Sequence, residues 1–548
     1  MTLAWAQDEP AVRRFLFALR WLPALAGAAY LATVAAIGPG LVRALNWDTD
    51  ISAPLTLAER LRGHGPVYLP HFGAWTTYWW LLATRGLPGH AALWEATGYV
   101  FAVASAALLA WATSRVAGRW AGVTAAAAAL VVGPFALRAL MTVIYHVTNP
   151  FTAAVLAAYL VLLTRTRSWL LALGVGLLAG ANAASDPLLW IAGIAPFALA
   201  AALLARATCS LEVALRAAVM LAVTVVTAVA TNLLMHGLGY RVIGLDVSLA
   251  PVHDWPANTL HLVRMAALLG GANYALPGGG YPQDPLRALV AVLVLAAIAA
   301  PVVAAVTLTV RRAEAEAQTY AWYWGAASAL LCVVFVVTPN AAALGPTSVY
   351  YLLTLALAAG AGVALLAARS RRAQLAVALV VATVGATNIA SIADGLADGL
   401  PPLASYERPL VRLLEREGAT RGYAGYWDAQ NLSWQSGMRL LVAPVTRCTA
   451  TELCPYNFFT IRSWYEPHRG PSFLLLDATN QVIAGAPPFV RDATGSYRFG
   501  PLTLYVFDYD IARHVRLGGP PSASIARFGG GSSPRAAGSS SRGARPRR

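Results

Sequence analysis

Two carboxylates stand one residue apart, Asp48 and Asp50, in "NWDTDISAPLTLAERL" (46–61), where a long apolar run ends. An extended segment turns both to one side. A carboxylate partly shielded from water at a membrane surface can take a proton from a hydroxyl or hold a divalent cation. Asp50 also suits the N-cap of a following helix, accepting from free backbone N–H groups; that reading leaves Asp48 unexplained. A third carboxylate, Asp186 in "NAASDPLLW", opens another apolar run, and Pro187 after it makes capping the alternative. Groups of opposite charge are Arg138 and His146 in "PFALRALMTVIYHVTNPF", and Arg241, His253, His261 and Arg264 in the connection 237–286. Guanidinium grips phosphate oxygens in bidentate fashion and can stabilise charge growing on a leaving phosphate. Taken singly, each of these arginines serves equally well as an interfacial anchor.

The elements that must position these groups are membrane spans. Hydrophobic residues make up 58% of 548, charged residues only 12%, and mean hydropathy is +0.58, which no soluble chain of this size shows. Apolar runs at 15–42, 92–113, 120–137, 151–163, 168–184, 187–205, 217–236, 286–310, 321–338, 348–368 and 373–393 predict about eleven crossings. The first is too long for a signal h-region and reads as a retained anchor. The net charge of +15 is carried by arginine with no lysine. Its distribution excludes a nucleic-acid surface. Arg13/Arg14, Arg115/Arg119, Arg165/Arg167, Arg206/Arg216, Arg311/Arg312 and Arg369/Arg371/Arg372 fall in alternate connections, which the positive-inside rule places in the cytoplasm. Segments 46–90 and 237–286, and everything after about 394, then face outward with the N-terminus inside, so three separate passes deliver polar groups to one face.

Three regions follow: a polytopic domain at 1–396, a small mixed α/β domain at 397–515, and an Arg/Gly/Ser-rich disordered tail at 516–548. The apolar face of 51–61 predicts a helix lying along the interface. Trp75, Tyr78, Trp79, Trp80 and Trp94 suit an aromatic belt, and the 237–286 connection is long enough for a re-entrant or lid-like element. In the C-terminal domain Leu410, Leu413 and Leu414 have helical spacing, and "RLLVAPV", "SFLLLDA" and "YRFGPLTLYVFDYDI" read as strands. Trp427, Asp428 and Trp434 in "GYAGYWDAQNLSWQSG" offer rings and a carboxylate to a carbohydrate, core packing being the other reading of the tryptophans. Cys448 and Cys454 lie where an oxidising compartment permits a disulfide, against two unpaired thiols.

A long first span, an outward loop opening on "WDTD", an interfacial helix, many further spans and an outer C-terminal domain together resemble the glycosyltransferase C (GT-C) superfamily. The resemblance implies an all-α polytopic membrane domain with a small extracytoplasmic α/β domain. It implies a polyprenyl-phosphate or pyrophosphate sugar donor, transfer on the outer side, and an aspartate of the first loop, here Asp48 or Asp50, as catalytic base or metal-organising residue. Two patterns depart from it. "YWWLL" and "YWDAQ" do not reproduce the WWDYG motif of oligosaccharyltransferases, which disfavours transfer to asparagine. "DTD" is not the adjacent Asp-Glu pair of protein O-mannosyltransferases and aminoarabinose transferases. The expectation is a bacterial plasma-membrane hexosyl- or pentosyltransferase moving a sugar, with inversion, onto an extracytoplasmic glycan, lipid or protein hydroxyl. Its partners are the lipid-linked donor, that acceptor and the bilayer, with no nucleic acid. Two carboxylates are compatible with Mg²⁺ or Mn²⁺ and too few to specify either, so the cofactor is left unknown. A transporter or flippase of lipid-linked glycans would place ionisable residues in mid-span, whereas the runs at 92–113 and 286–393 keep theirs near the ends. A non-catalytic glycan-binding scaffold is the third class.

Overall fold

The computed structural model describes residues 17–45, 49–60, 65–69, 81–142, 144–242, 248–272, 285–339, 345–397, 407–478, 483 and 485–517. Asp48, the aromatic segment 70–80 and the tail from 518 lie outside the described residues. The helices are α1 Leu22–Leu45, α2 Thr49–Glu59, α3 His90–Ala117, α4 Arg119–Leu130, α5 Pro134–Thr142, α6 Ile144–Leu162, α7 Trp169–Ser185, α8 Ala195–Thr208, α9 Leu211–Gly237, α10 Trp255–Leu269, α11 Pro285–Val310, α12 Ala315–Val337, α13 Leu353–Ala367, α14 Arg371–Ala397, α15 Glu407–Arg416 and α16 Tyr426–Gln435. Serines open two of them: Ser168 Oγ accepts from Leu171 N at 3.2 Å before α7, and Ser210 Oγ from Val213 N at 3.3 Å before α9.

Among the described residues, seven helical segments are long and apolar enough to cross a membrane, and Leu22–Ala36, His146–Leu162 and Trp169–Ser185 are shorter apolar helices. The chain is a multi-pass membrane protein. The expected crossing at 120–137 is not one helix: α4 stops at Leu130 and α5 starts at Pro134. Gly133 meets the backbone of Gly271, so close that a Cβ on Gly133 would lie 2.4 Å from Gly271 Cα. The groups freed by the break are satisfied internally, as a low-dielectric interior demands. Tyr30 Oη donates to Val132 O at 2.8 Å and Asn388 Nδ2 to Val131 O at 2.8 Å, while Gly133 N donates to Leu269 O at 2.8 Å. The partner backbone comes from α10, a helix inside the expected lid-like connection, whose residues Met265–Leu269 are buried. Elsewhere small residues bring helices together: α7 packs on α9 with Gly180 so close that a Cβ would lie 2.5 Å from Thr224 O.

The C-terminal region holds a six-stranded mixed sheet in the order β5-β4-β3-β7-β9-β8, with β3 Arg421–Ala424, β4 Leu441–Arg447, β5 Leu453–Pro455, β7 Ser472–Asp477, β8 Gly495–Phe499 and β9 Leu502–Phe507. Strand β3 runs parallel to both β4 and β7. The leucines of α15 bury against one sheet face together with Ala429 and Leu432 of α16. A disulfide joins Cys448 to Cys454 between β4 and β5. A second, three-stranded sheet spans the chain: β1 Val67–Leu69 pairs in parallel with β2 Tyr240–Val242 and antiparallel with β6 Thr460–Ile461.

Helix α2 differs from the expected interfacial helix. Ser52 to Ala58 are all buried, polar residues included, because α16 covers its polar side. Ser52 Oγ donates to Asn431 Oδ1 at 2.5 Å, Thr56 Oγ1 to Gln430 O at 3.4 Å, and Arg60 to the carbonyls of Met438 and Leu440.

Candidate functional site

The described polar centre lies where α6 begins and α7 ends. Asp186 follows α7 in an extended conformation (φ −140°, ψ 99°), its N–H donating to Asn182 O at 2.7 Å. Its two carboxylate oxygens have separate duties. Oδ1 accepts from Leu188 N at 3.1 Å, the capping contact that the following Pro187 foreshadows. Oδ2 accepts from Asn149 Nδ2 at 2.7 Å and lies 3.1 Å from His146 Nδ1. Capping therefore accounts for one oxygen only. Asn182 Nδ2 then donates to Asn149 Oδ1 at 3.3 Å, Thr152 Oγ1 at 3.1 Å and Thr148 O at 3.1 Å. The ring of Tyr351 lies 4.8 Å from that of His146 at 59°. The side chains of His146 and Asp186 are 5% and 3% exposed. A carboxylate this deep persists because each oxygen has a donor. An Nδ1–H donating to Asp186 Oδ2 is the tautomer that a neighbouring carboxylate favours. A π-helical turn at Trp190–Ile194 follows immediately.

Helix α2 packs against α16 of the C-terminal region. Asp50 falls in the first turn of α2; its side chain lies outside the described ones. Ser52, two residues on, bonds Asn431, and Arg60 at the other end bonds the turn after α16. The first turns of α2 and α16 thus lie at the same end of their contact. Asp428 is on the first turn of α16, just past β3, and Asp477 ends β7. Because β3 has parallel neighbours on both sides, the gap between β3 and β7 at their carboxyl ends is a topological switch point, where open α/β sheets bind ligands. Burial pushes the Asp428 carboxyl up to about 7, and the charge of Asp477 acts in the same direction. Trp427 beside it is 43% exposed, edge-on to Tyr426 at 5.1 Å. Trp434 packs against the core instead. One hydrophobic cluster includes Ala53 and Leu55 of α2, Val147 beside His146, and Tyr426, with Leu188 packed on it.

The other singled-out residues stand on elements other than α6 and α7. Arg241, exposed on β2, donates to the carbonyls of His236 and Tyr240. The His253 side chain is 81% exposed, 3.5 Å from Asp254. Arg264 is exposed on α10. His261 Nε2 is 2.8 Å from Ser348 Oγ, and its ring stacks on Phe335. Arg138 is in α5, its side chain outside the described ones. Asn149, Asn182, Thr152 and Tyr351 were not singled out from sequence; amides inside otherwise apolar helices were the available signal. Among the described residues no group of three or more His, Cys, Asp or Glu could hold a metal ion. The donors around Asp186 form a hydrogen-bond network rather than a cation cage.

No protein-family model matches the chain, and no curated protein sequence does. Among solved structures it is similar to the oligosaccharyltransferase AglB of Archaeoglobus fulgidus, in a complex with an inhibitory peptide and a dolichol-phosphate. That match has TM-score 0.47 and 14% identity, over 91% of this chain and 74% of that one. The same archaeal enzyme in a complex with Zn and sulfate matches at TM-score 0.45 and 14% identity, over 85% and 68%. ArnT from Cupriavidus metallidurans in the apo state matches at TM-score 0.37 and 12% identity, over 90% and 100%. Both proteins are GT-C glycosyltransferases. At these scores the likeness assigns no residue of this chain a role.

Proposed function

We propose that the chain is an integral-membrane glycosyltransferase that moves a sugar from a polyprenyl-phosphate carrier to a hydroxyl of an extracytoplasmic acceptor. The observation that carries this reading is the buried Asp186–His146–Asn149 network, an ionisable group held at the end of an apolar helix. Such groups are expensive in a membrane protein and mark function. The site faces the outer side in the positive-inside orientation. In the reaction Asp48 or Asp50 takes the acceptor hydroxyl proton as the acceptor oxygen bonds to the anomeric carbon. The bond from that carbon to the phosphate oxygen breaks, the electron pair leaves with polyprenyl phosphate, and configuration inverts. His146, oriented by Asp186, is placed to meet charge on the departing phosphate. Trp427 and Asp428 are the acceptor-side groups, the ring stacking on a sugar and the carboxyl bonding a hydroxyl. A divalent cation would draw on Asp48 and Asp50.

The broken α4–α5 helix favours a second reading, since transporters aim half-helix ends at their substrates. Here the freed carbonyls are taken by Tyr30 and Asn388, so the break is closed rather than presented. Purified protein in liposomes with a panel of polyprenyl-phosphate sugars, followed by release of the carrier, separates the two. Asp48→Asn or Asp50→Asn should lower turnover roughly 100-fold or more with donor binding retained. Full activity in both variants removes these residues as the base; sugar translocation without carrier release removes the enzyme.

A further inference from the structure

A trench of about 370 Å³ runs inside the bundle between α4, α11, α13 and α14. On α14 it is lined by Ala373, Val377, Val380 and Val384, one face of that helix, so it follows the axis for about 16 Å at 1.5 Å per residue. No lining side chain is polar. Val131, Val132 and Gly270 close one end, and their carbonyls already accept from Asn388 and Tyr30. Water there would find no partners. Exposed Leu289 and Val292 on α11 continue the same apolar surface outward. A hydrocarbon chain is what such a space holds.

The other end of the trench reaches Leu366, Ala367 and Ala373, directly beside Arg369, Arg371 and Arg372. All three are exposed and none has an ion-pair partner among the described residues. Two of them stand in the first turn of α14, where the helix dipole disfavours cations and favours a phosphate. Next to Ala373, Gln374 is 9% exposed. Its Nε2 donates to Ala368 O at 2.8 Å, and its Oε1 is buried without a hydrogen-bond partner.

We propose that this trench and arginine cluster bind an anionic diacyl phospholipid of the phosphatidylglycerol type. One acyl chain fills the trench and the phosphate meets the three guanidinium groups. In the positive-inside orientation the lipid belongs to the cytoplasmic leaflet. A sugar donor would place its phosphate at the opposite end, near Asp186, so the two lipid sites are distinct. Basic pockets between spans on that side suit such headgroups.

Full-length protein purified in detergent, stripped of lipid and titrated with phosphatidylglycerol or phosphatidylcholine under native mass spectrometry tests the site. Phosphatidylglycerol should be preferred roughly tenfold or more. R369Q/R371Q/R372Q, which alters exposed residues only, should abolish the preference, and R369K/R371K/R372K should keep most of it. A phosphatidylglycerol carrying a diazirine along one acyl chain should label α13 and α14 facing the trench. Equal retention of both lipids, an unchanged preference in the glutamine variant, labelling confined to other helices, or displacement by polyprenyl phosphate would each overturn the proposal. Loss of glycosyl transfer alone would leave it standing, since the readout is lipid retention.

Discussion

Asp428→Asn is the most informative single substitution, because its consequences for stability and for activity have opposite signs. Asp428 is partly buried beside Asp477, its carboxyl lifted from the ordinary 3.8 to about 7. Between those values the folded chain holds a proton that the unfolded chain has released. A group with a raised acidic pKa therefore loses stability as pH climbs through the window, and the full penalty stands above about 7. About 3 pH units at about 1.4 kcal/mol each amount to roughly 4 kcal/mol; partial exposure screens this to roughly 2 kcal/mol. Asparagine cannot ionise. The variant should match the parent near pH 4 and exceed it by roughly 2 kcal/mol near pH 8, in guanidinium denaturation followed by tryptophan fluorescence across that range. Glycosyl transfer should meanwhile fall about tenfold, the worth of one hydrogen bond to the acceptor. A D428N protein less stable than the parent near pH 8, or offset equally near pH 4 and pH 8, would show a carboxylate that is paired and ionised, and the reasoning would fail.

Asp186→Asn preserves the shape and the contact to Leu188 N, but turns an amide toward Asn149 or His146; carrier release should drop roughly 100-fold, and near-parental rates would remove Asp186 from the site. Asn388→Ala strips donors from Val131 O and Gly270 O; at about 1–3 kcal/mol per buried unsatisfied group it should lower stability by roughly 3 kcal/mol, and a thermal midpoint within error of the parent would contradict the internal satisfaction of the break.

Much of the bundle was legible because lipid-facing helices must be apolar throughout, so the runs at 217–236, 286–310 and 373–393 fall within α9, α11 and α14. The strands of "SFLLLDA" and "YRFGPLTLYVFDYDI" were legible from their residue types, with Gly500 (φ 56°) making the turn between β8 and β9. The break at 131–133 was not, since its cause is a backbone contact with Gly271 and an amide from Asn388, far along the chain. Strands β1, β2 and β6 are two or three residues long, too short for any alternation to register. At the site, His146 and Asp186 stood out as ionisable groups in apolar surroundings, and the structure bonds them together. Asn149 and Asn182 escaped notice because an amide signals nothing until its partners are known. Asp428 stood out as a carboxyl among rings, while its neighbour Asp477, at the end of a strand, became visible only through the sheet order.

The three-stranded sheet sets an order for biogenesis. Residues 67–69 are synthesised early, yet their pairing partners at 240–242 and 460–461 follow only after further helices, the second after the last of the described helices long enough to cross. Helix α2 likewise waits for α16 to cover its serine and threonine. A ribosome-bound intermediate would thus carry α2 without its clamp, and truncation before residue 460 would leave a bundle whose three-stranded sheet never completes.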